Sequence, residues 1–250
     1  MNPWTPEFIA LVAVTFFLGG FVKGVVGFGP PLMAVAIIAP LYGIQTALAL
    51  VIVPTFVMNI FQAFQGDAIR PLASRLLPYL VTTVMGITIG VGILASARPD
   101  SMRALLGLIL VVYAVASLAN MELPAPGRHE RYVTPAVGLL SGTLAGMTGV
   151  YVFPTALYLR ALGLDRDALI QSMGVIFLVA TLALGINLGG RNLLPGGLAA
   201  MSVLAIVPAL VGQWIGRRVR HRLPEATFRL VFLLALAVVG AGIFLRAVVA

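Results

Sequence analysis

The stretch GFVKGVVGFGPP, residues 20–31, sets four glycines, two adjacent prolines and the chain's single lysine inside an otherwise apolar run. What surrounds it decides how it must be read. Of 250 residues 60% are hydrophobic and only 10% charged, more apolar surface than a soluble domain of this length could bury. Apolar stretches long enough to cross a bilayer recur along the whole chain, leaving no segment for a soluble catalytic domain. The expected class is an all-α polytopic membrane protein forming a single membrane domain, residues 1–250. The N-terminal MNPWTPEFIA has no basic region before its apolar run and carries Glu7, so it reads as part of the mature protein rather than as a cleaved leader.

The net charge of +8 does not point to nucleic acid. The arginines sit singly or in short groups between apolar runs, where they mark membrane topology. With no cysteine, the chain has no disulfide, thiol catalysis or iron–sulfur site.

The apolar runs fall at 7–22, 31–41, 46–63, 76–97 and 103–121, then at 133–147, 150–162, 168–188, 194–216 and 226–249. They place five runs on each side of a polar, proline-bearing linker at 122–131. The halves, 1–121 and 132–250, are also alike. Gly20, Gly24 and Gly27 recur 122 residues later as Gly142, Gly146 and Gly149, and Pro31 recurs one residue out of step as Pro154. The first two runs of each half are short for separate spans and join through the glycine-rich breaks. Each pair therefore reads as a glycine-broken helix or re-entrant hairpin, followed by three transmembrane helices.

If each broken pair returns to its starting face, the two repeats are inverted; if it crosses once, they are parallel. The returning arrangement puts 11 arginines on one face against 4 (Arg98, Arg103, Arg191 and Arg246). The crossing arrangement gives the weaker split of 9 against 6. The positive-inside rule therefore favours inverted repeats with both termini away from the cytoplasm.

Unwound backbone at membrane depth is tolerated where protein or a water-filled cavity satisfies it. Glycine permits such a break, and Pro30, Pro31 and Pro154 stop the helix from continuing through it. A helix start after each break suits an anion, and two such starts near the midplane are a common transporter arrangement. The plainer reading of glycines four apart is close helix packing, within the chain or in a homodimer.

Lys23 is the only formal charge well inside an apolar run, and ionisable groups there usually serve function. It is expected to offset the charge of a small anionic substrate; the plainer alternative is that it snorkels to an interface. The candidate substrate-binding set is Lys23, Gly24, Gly27, Gly29, Asn59, Gly146, Thr148, Gly149 and Gln171. Asn59 and Gln171 enter it as amides able to bond an oxyanion from the segments after each break. Gln62, Ser172 and Tyr151 are further polar residues in the apolar runs. All eight acidic residues lie in loops or at segment ends, and both histidines in basic loops. No metal site, cofactor-binding motif or catalytic constellation can be assembled from them at membrane depth.

At these same residues the chain resembles the sulfite exporter TauE/SafE family of bacterial and plant membrane proteins. The matching stretches are GGFVKGVVGFGPPLMA, residues 19–34, and GLLSGTLAGMTGVYVFPTALYLRALGLDRDALIQSMGVIF, residues 138–177. The resemblance implies ATP-independent export of sulfite, sulfoacetate or related organosulfonates across a bacterial inner membrane. Glycine-richer members have further glycines where this chain has Phe28, Pro30, Val150, Tyr151 and Val152, so its second break is the bulkier. A channel or pore for anions could use the same breaks and lysine.

Overall fold

In a bilayer the backbone must satisfy its own hydrogen bonds, and this apolar chain does so with helices. The computed structural model describes residues 4–65, 69–121, 123–194, 197–220 and 225–249, and every regular element among them is helical. Seven helices or helix pairs among the described residues are long and apolar enough to cross a membrane, making this a multi-pass membrane protein. The side chains of Arg70, Arg166, Arg222, His221, Asp67, Glu122 and Glu225, which the charge readings above used, lie outside the described residues.

The elements follow the expected runs. They are α1 (Pro6–Val26), α2 (Pro30–Ile37), α3 (Ala39–Tyr42), α4 (Ile44–Ala63), α5 (Ile69–Ser96) and α6 (Pro99–Leu118) before the linker. After a short 3-10 turn come α7 (Glu130–Thr148), α8 (Thr155–Ala161), α9 (Arg166–Gly190), α10 (Leu198–Leu204), α11 (Ile206–Val219) and α12 (Glu225–Val249). Local chemistry sets several of these ends. Thr5 Oγ1 accepts from the Phe8 N–H at 3.4 Å with Pro6 in the first turn, and Asp165 Oδ1 accepts from the Ala168 N–H at 2.8 Å.

The helices form two compact units, each drawing elements from both halves of the sequence. One holds α1–α3, α4 as far as Pro54, α6 and α10–α12; the other holds the rest of α4 with α5 and α7–α9. In the first unit α1 packs along α11, and glycine makes the approach possible. A methyl on Gly20 would strike the Ala209 carbonyl, and one on Gly24 the Gln213 carbonyl with Arg217 N at 2.8 Å. Facing them, Gly212 meets Phe17 and Gly216 meets Phe21. The contacts advance together along both helices, so α1 and α11 run parallel.

The second unit repeats the device with α7 and α5. Gly142 meets the Thr83 carbonyl and Gly146 the Ile87 carbonyl, while Gly86 meets Leu139 and Gly90 meets Thr143. This pair is parallel too. Close backbone approach is how helices associate where lipid leaves little hydrophobic driving force, and it is the plainer of the two expectations for these glycines.

One expectation is corrected. The sequence suggested that the first run of each half is too short to span and that the helix breaks around Lys23. Instead α1 is continuous for 21 residues and is itself a candidate span, with Lys23 in its last helical turn; α7 is a continuous helix of 19 residues but is not among the candidate spans. Glycine's helical cost of about 1 kcal/mol is offset when the missing side chain admits a neighbouring backbone, so Gly20 and Gly24 stay helical.

Candidate functional site

The first break follows Lys23 rather than surrounding it. Gly27, at φ 94°, caps α1 in the left-handed conformation and donates its N–H to the Lys23 carbonyl at 2.9 Å. A side chain is strained at that angle, which is why glycine stands here. The chain then doubles back. A methyl on Gly29 would meet Gly19 and lie 2.9 Å from Lys23 N, and one on Gly19 would lie 2.8 Å from Pro30 Cα. Residue numbers therefore run in opposite senses along α1 and α2, and the broken element is a hairpin. Phe28 at its tip sets its ring edge-on to Tyr113, centroids 6.0 Å apart.

Lys23 is buried beneath this hairpin with 4% of its surface exposed, and Arg217 of α11 places a second positive charge within electrostatic reach. Arg217 looked like a topology marker in the sequence; only the parallel packing of α1 on α11 brings it beside Lys23. The helix start after the break offers fewer donors than expected. Pro30 and Pro31 open α2, so Leu32 alone among its first three residues has an N–H. The positive character here comes from side chains more than from a helix end.

The second break is built alike and closed more tightly. Gly149, at φ 75°, donates its N–H to the Ala145 carbonyl at 2.7 Å. Thr148 Oγ1 donates to the Leu144 carbonyl at 2.7 Å and accepts from the Val150 N–H at 3.3 Å. Gly149 to Val152 are buried, in line with their bulk, and the Phe153–Pro154 peptide that follows is cis. The α8 helix returns along α7. Tyr79 OH bonds both Ser141 Oγ of α7, at 2.9 Å, and Thr155 Oγ1 of α8, at 2.8 Å, while Thr134 bonds Tyr158 further along. Tyr79 and Tyr158 stack with centroids 5.8 Å apart, so a tyrosine of α5 clamps this hairpin. A hydroxyl in each of three apolar segments was the available sequence signal for this network.

Asn59 and Gln171 are fully buried in the second unit. Gln171 Nε2 donates to the Ala63 carbonyl and Gln62 Nε2 to the Ile170 carbonyl, each at 3.0 Å, a reciprocal lock between α4 and α9. The hydroxyls of Ser172, next to Gln171 in sequence, and of Tyr151 at the second break are buried and meet no hydrogen-bond geometry. Lys23, Gly24, Gly27 and Gly29 thus gather at the first hairpin, and Gly146, Thr148 and Gly149 at the second. Gly24 and Gly146 turn the hydrogens that replace a side chain toward neighbouring helix backbones. Among the described residues no three histidine or acidic side chains come together as metal ligands.

Two glycine-capped hairpins, in a chain with seven candidate spans among its described residues, recur at the positions the motifs predicted. A family model described as Sulfite exporter TauE/SafE matches residues 11–243, nearly the whole chain. The chain belongs to the TauE/SafE family. It is accordingly a membrane transporter and not an enzyme, and both hairpins of this TauE/SafE protein lie within the matched region. Neither the curated proteins nor the solved structures contain a significant match.

Proposed function

We propose that this TauE/SafE transporter exports small sulfur-containing anions, such as sulfite, sulfoacetate or other organosulfonates, across a bacterial inner membrane. The observation that carries the reading is the buried Lys23 in the last turn of α1, beneath the first glycine hairpin, with Arg217 within electrostatic reach. Lys23 is buried and Arg217 exposed, and two like charges within reach of one another favour an anion between them. Gly27 gives backbone access at the same hairpin, Gly29 lets α2 close onto α1, and Gly24 fixes Lys23 against α11. Asn59, Gln171, Thr148 and Gly149, with Gly146 as packing support, form a second candidate set in the second unit.

Inverted repeats are part of this proposal. Both breaks are hairpins, which is the arrangement that divides the arginines most unevenly. In the first unit α6 and α12 run antiparallel: Arg229 near the start of α12 donates to the Ser117 carbonyl near the end of α6. In this reading the spans alternate across short links and both termini lie on one side of the membrane. A reporter active only in the cytoplasm, fused after Ala250, is expected to be silent. The glycine faces are spent on packing within the chain, so a homodimer would have to form through another surface.

Export needs no coupling ion in this reading. A potential negative inside expels an anion with about 2.3 kcal/mol per charge per 100 mV, roughly a fifty-fold concentration ratio. The test has two parts. Purified protein is screened by thermal shift against sulfite, sulfoacetate, taurine, sulfate and thiosulfate, since a ligand of the folded state raises its stability. Proteoliposomes loaded with the binding anion should then show saturable efflux accelerated by a potential negative inside. Silence from every anion would remove the substrate class, and unsaturable conductance would make the protein a channel.

A further inference from the structure

The first unit holds a cavity of about 360 Å³ at the end opposite Lys23. Its walls come from three places: Ala39 and Ile44 around the start of α4, Asp100 and Arg103 in the first turns of α6, and Gly242 and Arg246 near the end of α12. All three are ends of candidate spans, so the cavity lies in the interfacial layer and not at mid-membrane. Its charged groups are two guanidiniums and one carboxylate. Asp100 pairs with Arg103 at 3.1 Å, with both side chains nearly half exposed, which leaves a net positive charge.

Gly242 separates this cavity from the packing glycines. Gly107 and Gly240 stand where α6 and α12 touch, and a methyl on either would meet the opposite helix at 2.6–2.8 Å. A methyl on Gly242 meets nothing within 4 Å. The residue lines open space, so its missing side chain enlarges the cavity without serving helix contact. Beside it α12 presents Val238, Leu245 and Val248 at 72%, 60% and 63% exposure, an apolar strip suited to an acyl chain.

We propose that this corner binds an anionic phospholipid, its phosphate held by Arg103 and Arg246 and its chains lying along α12. A guanidinium pair matches a phosphate's paired oxygens. The apolar strip running from the cavity mouth argues for a lipid over a free anion, which would have no use for it.

The test is thermal unfolding of delipidated protein in uncharged detergent with phosphatidylglycerol, phosphatidylcholine or inorganic phosphate. Phosphatidylglycerol should raise the unfolding temperature by several degrees, with little effect from the other two. Gly242→Leu, which fills the cavity, and the Arg103→Ala/Arg246→Ala double variant should each lose most of that shift. Arg98→Ala, an exposed arginine at the start of the same helix that does not line the cavity, should keep it. An equal shift with phosphatidylcholine would overturn headgroup recognition, and a phosphate effect lost with the two arginines would make this a free-anion site. A full shift in Gly242→Leu, or an equal loss in Arg98→Ala, would overturn the cavity as its location.

Discussion

Ser202 Oγ donates a hydrogen bond to the Leu50 carbonyl at 2.9 Å and accepts one from the Val53 N–H at 3.3 Å. Leu50 is four residues before Pro54, the proline inside α4, and Pro54 has no N–H to offer that carbonyl. A serine from α10 thus repairs the backbone gap that a proline opens in a spanning helix. The unpaired group would otherwise be buried without water.

Ser202→Ala is expected to leave the Leu50 carbonyl unsatisfied and to cost about 1–3 kcal/mol. Adding Pro54→Ala to that variant restores an N–H at position 54 and should recover part of the loss. Thermal unfolding of the two single variants and the double variant measures the coupling. Strict additivity would show that Ser202 does not serve the proline gap.

The packing glycines should tolerate no side chain. Gly20→Val and Gly142→Val push a branched group into the backbones of Ala209 and Thr83, a cost of about 1–3 kcal/mol or more by overpacking. Gly242→Ala, in the interior of α12 with open space beside it, should instead gain up to about 1 kcal/mol from helix propensity. Opposite signs in unfolding experiments distinguish space from conformation.

Gly27 is a case of conformation alone, since nothing stands within 4 Å of an added methyl while φ is 94°. Gly27→Ala should cost about 1–2 kcal/mol, and Gly27→Asn less, because asparagine tolerates the left-handed region. Equal losses in thermal unfolding would point to a clash instead.

Lys23→Ala is expected to abolish anion flux in proteoliposomes and Lys23→Arg to retain part of it, with both proteins folded by thermal unfolding. A wild-type rate in Lys23→Ala would remove the lysine from the transport site.

Arg75 forks onto Glu130 at the start of α7, with Nε–Oε1 and Nη2–Oε2 distances of 2.6 and 2.8 Å. The hydrogen bond from Arg75 holds the Glu130 carboxyl below the usual carboxylate range. A depressed pKa contributes stability that is present above the unfolded value of about 4.3 and is lost as pH falls through the folded value. The pair is partly exposed, so its contribution is about 0.2–1 kcal/mol. Glu130→Gln should therefore lower the unfolding temperature slightly at pH 7 and not at all once the pH is well below 4. A deficit that persists in acid would assign Glu130 another role.

Composition alone was enough for the membrane class, because the bilayer admits helices wherever apolar runs are this long. The duplicated glycines also foretold where the chain turns. Gly27 and Gly149 both cap their helices with positive φ, a conformation that glycine alone adopts freely. Asn59, Gln171 and Lys23 stood out because polar groups are rare in such runs, and all three are buried.

What the sequence could not decide is which surfaces meet. Gly20 and Gly24 have the same letters whether they line a cavity or admit a neighbouring backbone; only the parallel seating of α1 on α11 shows the second. The same seating brings Arg217 beside Lys23 across almost two hundred residues of chain, and folding places Ser202 opposite the gap made by Pro54. Local chemistry determines where a helix starts, stops and turns, because caps and φ preferences act within a few residues. Partners are chosen by packing between distant segments, and in an apolar chain with little charge patterning many pairings look alike until the backbones fit.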